Sequence, residues 1–192
     1  MRVTVNSQLL AVELRLLVKI VPAKPVIAIL SYVLMRADAT GISLHATDLE
    51  VSLSTHCDAR VDAPGVVMLP ATKLLAMVEQ FADADVLIAL DGMRATIACG
   101  AFKSSLQTMR ADDFPDLPTV GGTQSTIAAD TLRWLISRTR YAVAATSSRY
   151  ILQGALLTMT GPAAAMVATD SKRLAIATVA RAGNDHRVVI PA

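Results

Sequence analysis

An α+β fold built from a duplicated βαβββ unit is what the sequence predicts, and three observations carry it. Hydrophobic periodicity switches between strand-like and helix-like in a fixed order, a tripeptide returns at a fixed offset, and one Pro/Gly-rich stretch separates the two copies. Ala46-Thr47-Asp48 recurs as Ala168-Thr169-Asp170, an offset of 122. The same offset carries Val5 onto Ile127, Leu10 onto Leu132, Leu14 onto Ile136, Ile29-Leu30 onto Ile151-Leu152 and Leu34 onto Leu156. A tripeptide alone is weak, but apolar positions held in one register over about 45 residues mark a repeat.

The elements follow in order. Val3-Thr4-Val5 alternates as a strand, and Ser7 is the expected cap of a helix whose inward stripe is Leu10, Leu14, Leu17, Val18 and Val21. Strands are expected at 27–36, 41–46 and 51–57, with Ala39-Thr40-Gly41 as a turn. The pattern then restarts: a strand at Val66–Leu69, a helix from Pro70 to Phe81 with Leu74, Leu75, Val78 and Phe81 inward, and strands at 85–90, 93–98 and 102–108. Asp91-Gly92 is the hairpin turn. Two βαβββ units therefore make one domain over residues 1–118.

Phe114-Pro115-Asp116-Leu117-Pro118 with Gly121-Gly122 breaks both periodicities and reads as a linker. Residues 125–192 then supply a strand at Ser125-Thr126-Ile127, a helix from Asp130 to Val143, and strands at 150–159, 164–169 and 173–180. Val189-Ile190-Pro191-Ala192 repeats Met68-Leu69-Pro70-Ala71 with a one-residue slip. By the first copy's measure the second stops about 45–50 residues short, where its second helix is due. The expectation is a half domain whose stripe Leu132, Leu135, Ile136 and Val143 lacks a partner helix and whose strand Val188-Val189-Ile190 is unpaired.

Composition narrows the functional classes. The 192 residues are 53% hydrophobic, 18% charged and 4% aromatic, so a packed aliphatic core is expected and a disordered tail is excluded. Glu13, Arg15, Lys19 and Lys24 interrupt the most apolar stretch, which therefore cannot span a bilayer, and no signal segment follows Met1; a soluble cytoplasmic protein is expected. Cys57 and Cys99 stand alone, without metal-ligand spacing, and read as buried free thiols. The net charge of +2 does not by itself advertise nucleic-acid binding.

No catalytic constellation emerges. Asp48 and Asp170 each follow Thr at a strand end, where Asp accepts hydrogen bonds from its own turn more often than it does acid–base or metal work. His45, His56 and His186 are scattered, with no Ser or Cys partner at an informative spacing, and no phosphate-binding loop is present. Neither a cofactor nor a metal is expected. Arg15 and Lys19, four apart, leave the first helix opposite its apolar stripe, as Arg133 and Arg140 leave the later one. On periodicity alone these are solvated faces.

Five segments in order then resemble one family: His45-Ala46-Thr47-Asp48-Leu49-Glu50; Leu69-Pro70-Ala71-Thr72-Lys73; Leu106-Gln107-Thr108-Met109 leading to Asp113-Phe114-Pro115; Arg149-Tyr150-Ile151-Leu152-Gln153-Gly154; and Ala168 to Ala175. The chain is similar throughout to the bacterial DNA polymerase III beta subunit, the sliding-clamp family. The resemblance implies a DNA-clamp fold, with sheets outside and helices lining a channel, in a head-to-tail homodimeric ring of three-domain subunits. It implies a processivity factor without chemistry of its own, a subunit of the DNA polymerase III holoenzyme that tethers the polymerase to double-stranded DNA. On that reading the chain holds a complete N-terminal domain and the first half of the central one, and lacks the third.

The resemblance also implies sites. Arg15, Lys19, Lys24, Lys73, Arg133, Arg140 and Tyr150 would meet DNA. Leu152, Thr169, Ser171, Lys172, Arg173 and Leu174 would form this chain's share of a pocket for short hydrophobic peptides of the polymerase III catalytic subunit, the clamp loader and other partners. Ser104 and Leu106 would lie at the dimer interface. Two departures stand out: Ser171-Lys172 where Gly-His is common, and Ser104 where an aromatic residue is usual. A short regulatory homologue that binds clamp partners without encircling DNA is the alternative reading.

Overall fold

The computed structural model describes residues 1–117, 121, 124–146, 149–180 and 185–191. Pro118 and Gly122 of the expected linker, and Ala192 of the recurring Pro-Ala pair, lie outside the described residues. The chain divides into two compact units, Met1–Pro118 and Thr119–Ala192.

Unit 1 runs β1 (Arg2–Asn6), α1 (Ser7–Val18), β2 (Tyr32–Asp38), β3 (Gly41–Thr47), β4 (Ser52–Cys57), β5 (Arg60–Ala63), β6 (Gly65–Pro70), α2 (Ala71–Val78), β7 (Asp85–Asp91), β8 (Arg94–Cys99) and β9 (Phe102–Gln107). These are the two expected βαβββ units plus one short strand, β5, which sequence reading passed over. The strands do not stay with their own repeat. One sheet is ordered β5-β1-β7-β8-β9 and the other β4-β3-β2-β6, so each repeat gives its first strand to the other's sheet. Val3 faces Ile88 and Val5 faces Val86 in one exchange; Val33 faces Leu69 and Met35 faces Val67 in the other.

One core takes the inward side chains of both sheets and both helices, including Leu10, Leu14 and Leu17 of α1 and Leu74 and Val78 of α2. The back of β2 and β6 is covered too. Leu34 and Met68 pack there against Ile29, Leu30 and Phe114, which explains why these strands read as continuous apolar runs instead of alternating.

Local chemistry corrects several boundaries. The cap of α1 is Asn6, not Ser7: its Oδ1 accepts from the amides of Gln8 (2.9 Å) and Leu9 (3.2 Å). Ser7 is the first helical residue, and its buried hydroxyl donates to the Ala82 carbonyl at 2.7 Å. Residues 28–31 form a 3₁₀ turn before β2 instead of extending it, since Ile29 and Leu30 turn to the back-face cluster. At the repeat offset Tyr150–Gln153 does the same, so the strand expected from 150 begins at Gly154. The helix expected to reach Phe81 ends at Val78, and the hairpin turn is Gly92-Met93, with Gly92 at φ +57°. Cys57 is buried but Cys99 only half-buried; burial first, then Glu13 and Asp58, pushes the Cys57 thiol up to about 11.

Unit 2 runs α3 (Ala129–Thr139), β10 (Gly154–Thr160), β11 (Ala163–Thr169), β12 (Leu174–Ala180) and β13 (His186–Pro191). Its sheet, ordered β12-β11-β10-β13, repeats the β4-β3-β2-β6 sheet of unit 1. The strand expected to be unpaired is therefore paired: β13 lies antiparallel to β10 from Gly154↔Pro191 to Met159↔His186. The strand expected at 125–127 does not form, because β1, its counterpart, depends on β5 and β7, and no described strand takes their place here. The helical stretch after Thr139 is a 3₁₀ turn, Arg140–Ala142. Leu135 is fully buried and Leu132 and Val143 partly so, whereas Ile136 remains 39% exposed above a cleft it shares with Val143, Ala155, Met166 and Ile190. Much of this core is alanine, so it buries less apolar surface than that of unit 1. Among the described residues no helix is long and apolar enough to cross a membrane.

At Gly154 β10 and β13 leave no room for a side chain, since a Cβ there would stand 2.6 Å from the Ile190 carbonyl oxygen. Gly154→Ala is expected to part the two strands and destabilise unit 2 by about 1–3 kcal/mol in chemical denaturation. Gly161→Ala, at φ +55° with open space around it, should cost only about 1 kcal/mol. Equal losses for the two variants would mean that the β10–β13 ladder does not hold the unit together.

Candidate nucleic-acid and partner surfaces

The Thr-Asp tripeptides build the same turn twice. In the first, Thr47 Oγ1 donates to the Val51 carbonyl (3.0 Å) and accepts from the Leu49 amide (3.0 Å), while Asp48 Oδ1 accepts from the amides of Glu50 (2.9 Å) and Val51 (2.6 Å). In the second, Thr169 Oγ1 donates to the Arg173 carbonyl (2.7 Å) and accepts from the Ser171 amide (3.2 Å), while Asp170 Oδ1 accepts from the amides of Lys172 and Arg173 (3.0 Å each). In both aspartates Oδ1 is thus taken up by backbone amides of its own turn, as expected of a turn residue. The third residue of each turn is left-handed, Leu49 at φ +79° and Ser171 at φ +71°. That conformation favours Gly.

The second turn gathers Thr169, Ser171, Lys172, Arg173 and Leu174 at the β11–β12 hairpin. Asp170 also holds the Arg173 side chain, Nε to Oδ2 at 2.8 Å, and the guanidinium lies 5.9 Å over the Tyr141 ring. Tyr141 was not among the sequence-derived candidates; its link to Arg173 spans two elements and leaves no local pattern. Leu174, at the start of β12, is 60% exposed. Leu152 sits in the 3₁₀ turn before β10, its carbonyl accepting from the Ala144 amide at 2.9 Å.

The basic candidates divide into two groups. Arg15 and Lys19 are exposed on α1, but Arg15 Nε pairs with Glu79 Oε1 at 2.7 Å across to α2. Arg133 Nη1 likewise pairs with Asp130 at 2.7 Å, one turn back on α3. Lys19, Lys24, Lys73 and Arg140 are exposed and enter no described ion pair. Lys73 stands beside Phe81 and Phe102, whose rings meet edge-on at 5.1 Å. Tyr150 is 80% exposed. Arg138, unremarked in the sequence, stacks at 5.7 Å on Trp134.

On β9 the two interface candidates differ. Leu106 belongs to the unit 1 core, while Ser104 is half-buried on a strand hydrogen-bonded on one side only. One pairing escaped the sequence: His45 Nδ1 meets Ser54 Oγ at 2.7 Å across β3 and β4. Burial first, and Arg36 second, hold this imidazole below its usual pKa. No carboxylate orients it among the described residues, so the pair lacks the third member of a nucleophilic triad.

Two tests follow from the second turn. The backbone amide of Lys172 first, and the side chain and amide of Arg173 after it, hold the Asp170 carboxyl below its ordinary value of 3.8. A depressed folded value means that its contribution is present above the unfolded value and lost as pH falls through the folded one. The Asp170 carboxyl resonance should therefore titrate below pH 3.8, and a midpoint at or above it would contradict the turn geometry. Ser171→Gly should relieve the left-handed strain and raise stability by about 1 kcal/mol, read as an upward shift in Tm.

Against known proteins, residues 1–118 match the family described as DNA polymerase III beta subunit, N-terminal domain, and residues 126–192 its central domain. A beta sliding clamp of Pseudomonas aeruginosa is 32% identical over all of this chain and 54% of its own length. The crystal structure of the DNA polymerase III subunit beta from Pseudomonas aeruginosa superposes with a TM-score of 0.91 at 31% identity, covering 100% of this chain and 53% of that one. Caulobacter crescentus pol III beta gives 0.94 at 30%, covering 100% and 54%. The chain spans about half the length of the relatives it matches.

Proposed function

This chain belongs to the DNA polymerase III beta subunit family, and from that premise we propose that it acts in DNA replication as part of a cytoplasmic sliding clamp, tethering the polymerase to duplex DNA. The observation that carries the reading is the agreement of both units, in order and over the whole chain, with clamp structures. The role asks for positioning, not chemistry, and fits side chains committed to turns and ion pairs. Tyr150 and the cations that enter no ion pair among the described residues, Lys19, Lys24, Lys73 and Arg140, are the DNA contacts; Arg15 and Arg133 are secondary, each already paired with a carboxylate. Hydrophobic partner segments, from the polymerase III catalytic subunit and the clamp loader, dock at Leu152, Thr169 and Ser171–Leu174. The half-exposed edge at Ser104 belongs to the homodimeric ring.

Four phosphate contacts give weak binding that fades with salt, by about a hundredfold between roughly 50 and 200 mM. Fluorescence anisotropy with a labelled duplex should show that decline and no sequence preference. Lys24→Glu with Arg140→Glu should abolish the binding, whereas Arg15→Gln should change it less than about threefold. Affinity untouched by the double charge reversal would remove these residues from the DNA face.

A further inference from the structure

The outer face of the β4-β3-β2-β6 sheet changes character across its width. On β6 and β2 it is apolar, with Met68, Val66 and Leu34 packed against Ala111, Phe114 and Leu117 of the segment that follows β9. On β3 and β4 the same face is polar. His45 stands opposite Leu34 and Ser54 opposite His45, while Ser43 stands opposite Arg36 and His56 opposite Ser43. At the border between the two halves a cleft of about 270 Å³ opens, with Leu34, Val66 and Phe114 on its apolar side and Arg36, Asp112 and Asp116 on its polar one.

The neighbours of this cleft are already engaged. Arg110 pairs with Asp112 at 3.7 Å. Asp38, the next residue on that face of β2, accepts from the amide (2.7 Å) and the hydroxyl (2.6 Å) of Thr40, and His45 is held by Ser54. Arg36 and Asp116 are left, both exposed and entering no ion pair among the described residues. A guanidinium and a carboxylate that share a cleft without meeting suit a ligand that brings the opposite charge to each. An anionic amphiphile would set its charge beside Asp116, a cationic one would leave Arg36 unmet, and a neutral apolar ligand would strip water from both. The volume lies below the roughly 300–1,000 Å³ of sites for drug-sized ligands, so the ligand is small.

We propose that this cleft binds a free α-amino acid with an aliphatic side chain, its carboxylate on Arg36, its ammonium on Asp116 and its side chain against Leu34 and Phe114. The planar guanidinium matches a carboxylate with two parallel donors, which fixes the ligand's orientation. None of these residues belongs to the DNA, partner or ring surfaces, so the inference stands apart from the clamp reading. Two ion pairs open to water and one aliphatic side chain give weak binding, with Kd of about 1–5 mM.

Titration of the 192-residue chain with L-leucine over about 0.1–50 mM, followed by amide NMR shifts, tests it. Shifts should gather at Leu34, Arg36 and Phe114. Leucinamide, which lacks the carboxylate, and N-acetyl-leucine, which lacks the ammonium, should each bind about fivefold more weakly. Arg36→Gln should weaken leucine about fivefold and leave leucinamide within about twofold, and Asp116→Asn should act in the same way on leucine and N-acetyl-leucine. Both side chains are exposed, so the variants keep the fold, which unchanged amide shifts away from the cleft would verify. A chain without saturable shifts up to about 50 mM overturns the proposal. So do equal affinities for the three compounds, shifts confined to other parts of the chain, or variants that bind leucine as the parent chain does.

Discussion

Strand β1 hydrogen-bonds along its length to β7, and β2 to β6, so that in unit 1 neither repeat closes a sheet from its own residues. Backbone amides and carbonyls in a core must be paired, and this exchange is how the inner strands of both sheets satisfy theirs. It also couples the helices. Asn6 ends β1 and caps α1 in one step, and Pro70 ends β6 and stands at the cap of α2, so the two exchanged strands each carry a helix into place. Because the partners lie 79–87 residues apart in sequence for β1–β7 and 28–38 apart for β2–β6, these ladders are costly in loop entropy and form only with the core.

Unit 2 shows what that dependence means. β13 stands where β6 stands in unit 1 and completes the ladder on β10, so the sheet exists. Residues 125–127 stand where β1 stands and form no strand, although their composition is equally strand-like. The difference is the partner, not the propensity.

How much of this was legible in the sequence follows from the range of each interaction. The repeat, the amphipathic stripes and most strands rest on local periodicity and were readable. So was the Thr-Asp turn, whose bonds span at most four residues. What depended on distant partners was not: the exchange of first strands, the short β5 that joins β1, the 3₁₀ turn whose Ile29 and Leu30 leave for a second cluster, and the pairing of Val188–Ile190. Among site residues, helical phase placed Arg15, Lys19, Arg133 and Arg140 on exposed surfaces, but Glu79 lies 64 residues from the arginine it neutralises. Tyr141 under Arg173 is hidden for the same reason.

The ion pairs bear on how such a surface works. A cation already bound to a carboxylate contributes little to a phosphate contact, because the phosphate must displace a partner of the same sign. On the proposed reading, with Arg15 and Arg133 so engaged, attraction for a polyanion rests on exposed lysines at helix ends and loops, Lys19 and Lys24 among them. Compact, strongly hydrated ammonium groups on flexible stems hold a phosphate as point charges without fixing its geometry, whereas arginine forks would lock it. A surface that must pass along a regular array of phosphates gains from that looseness, since tight and specific grips would set barriers between successive positions.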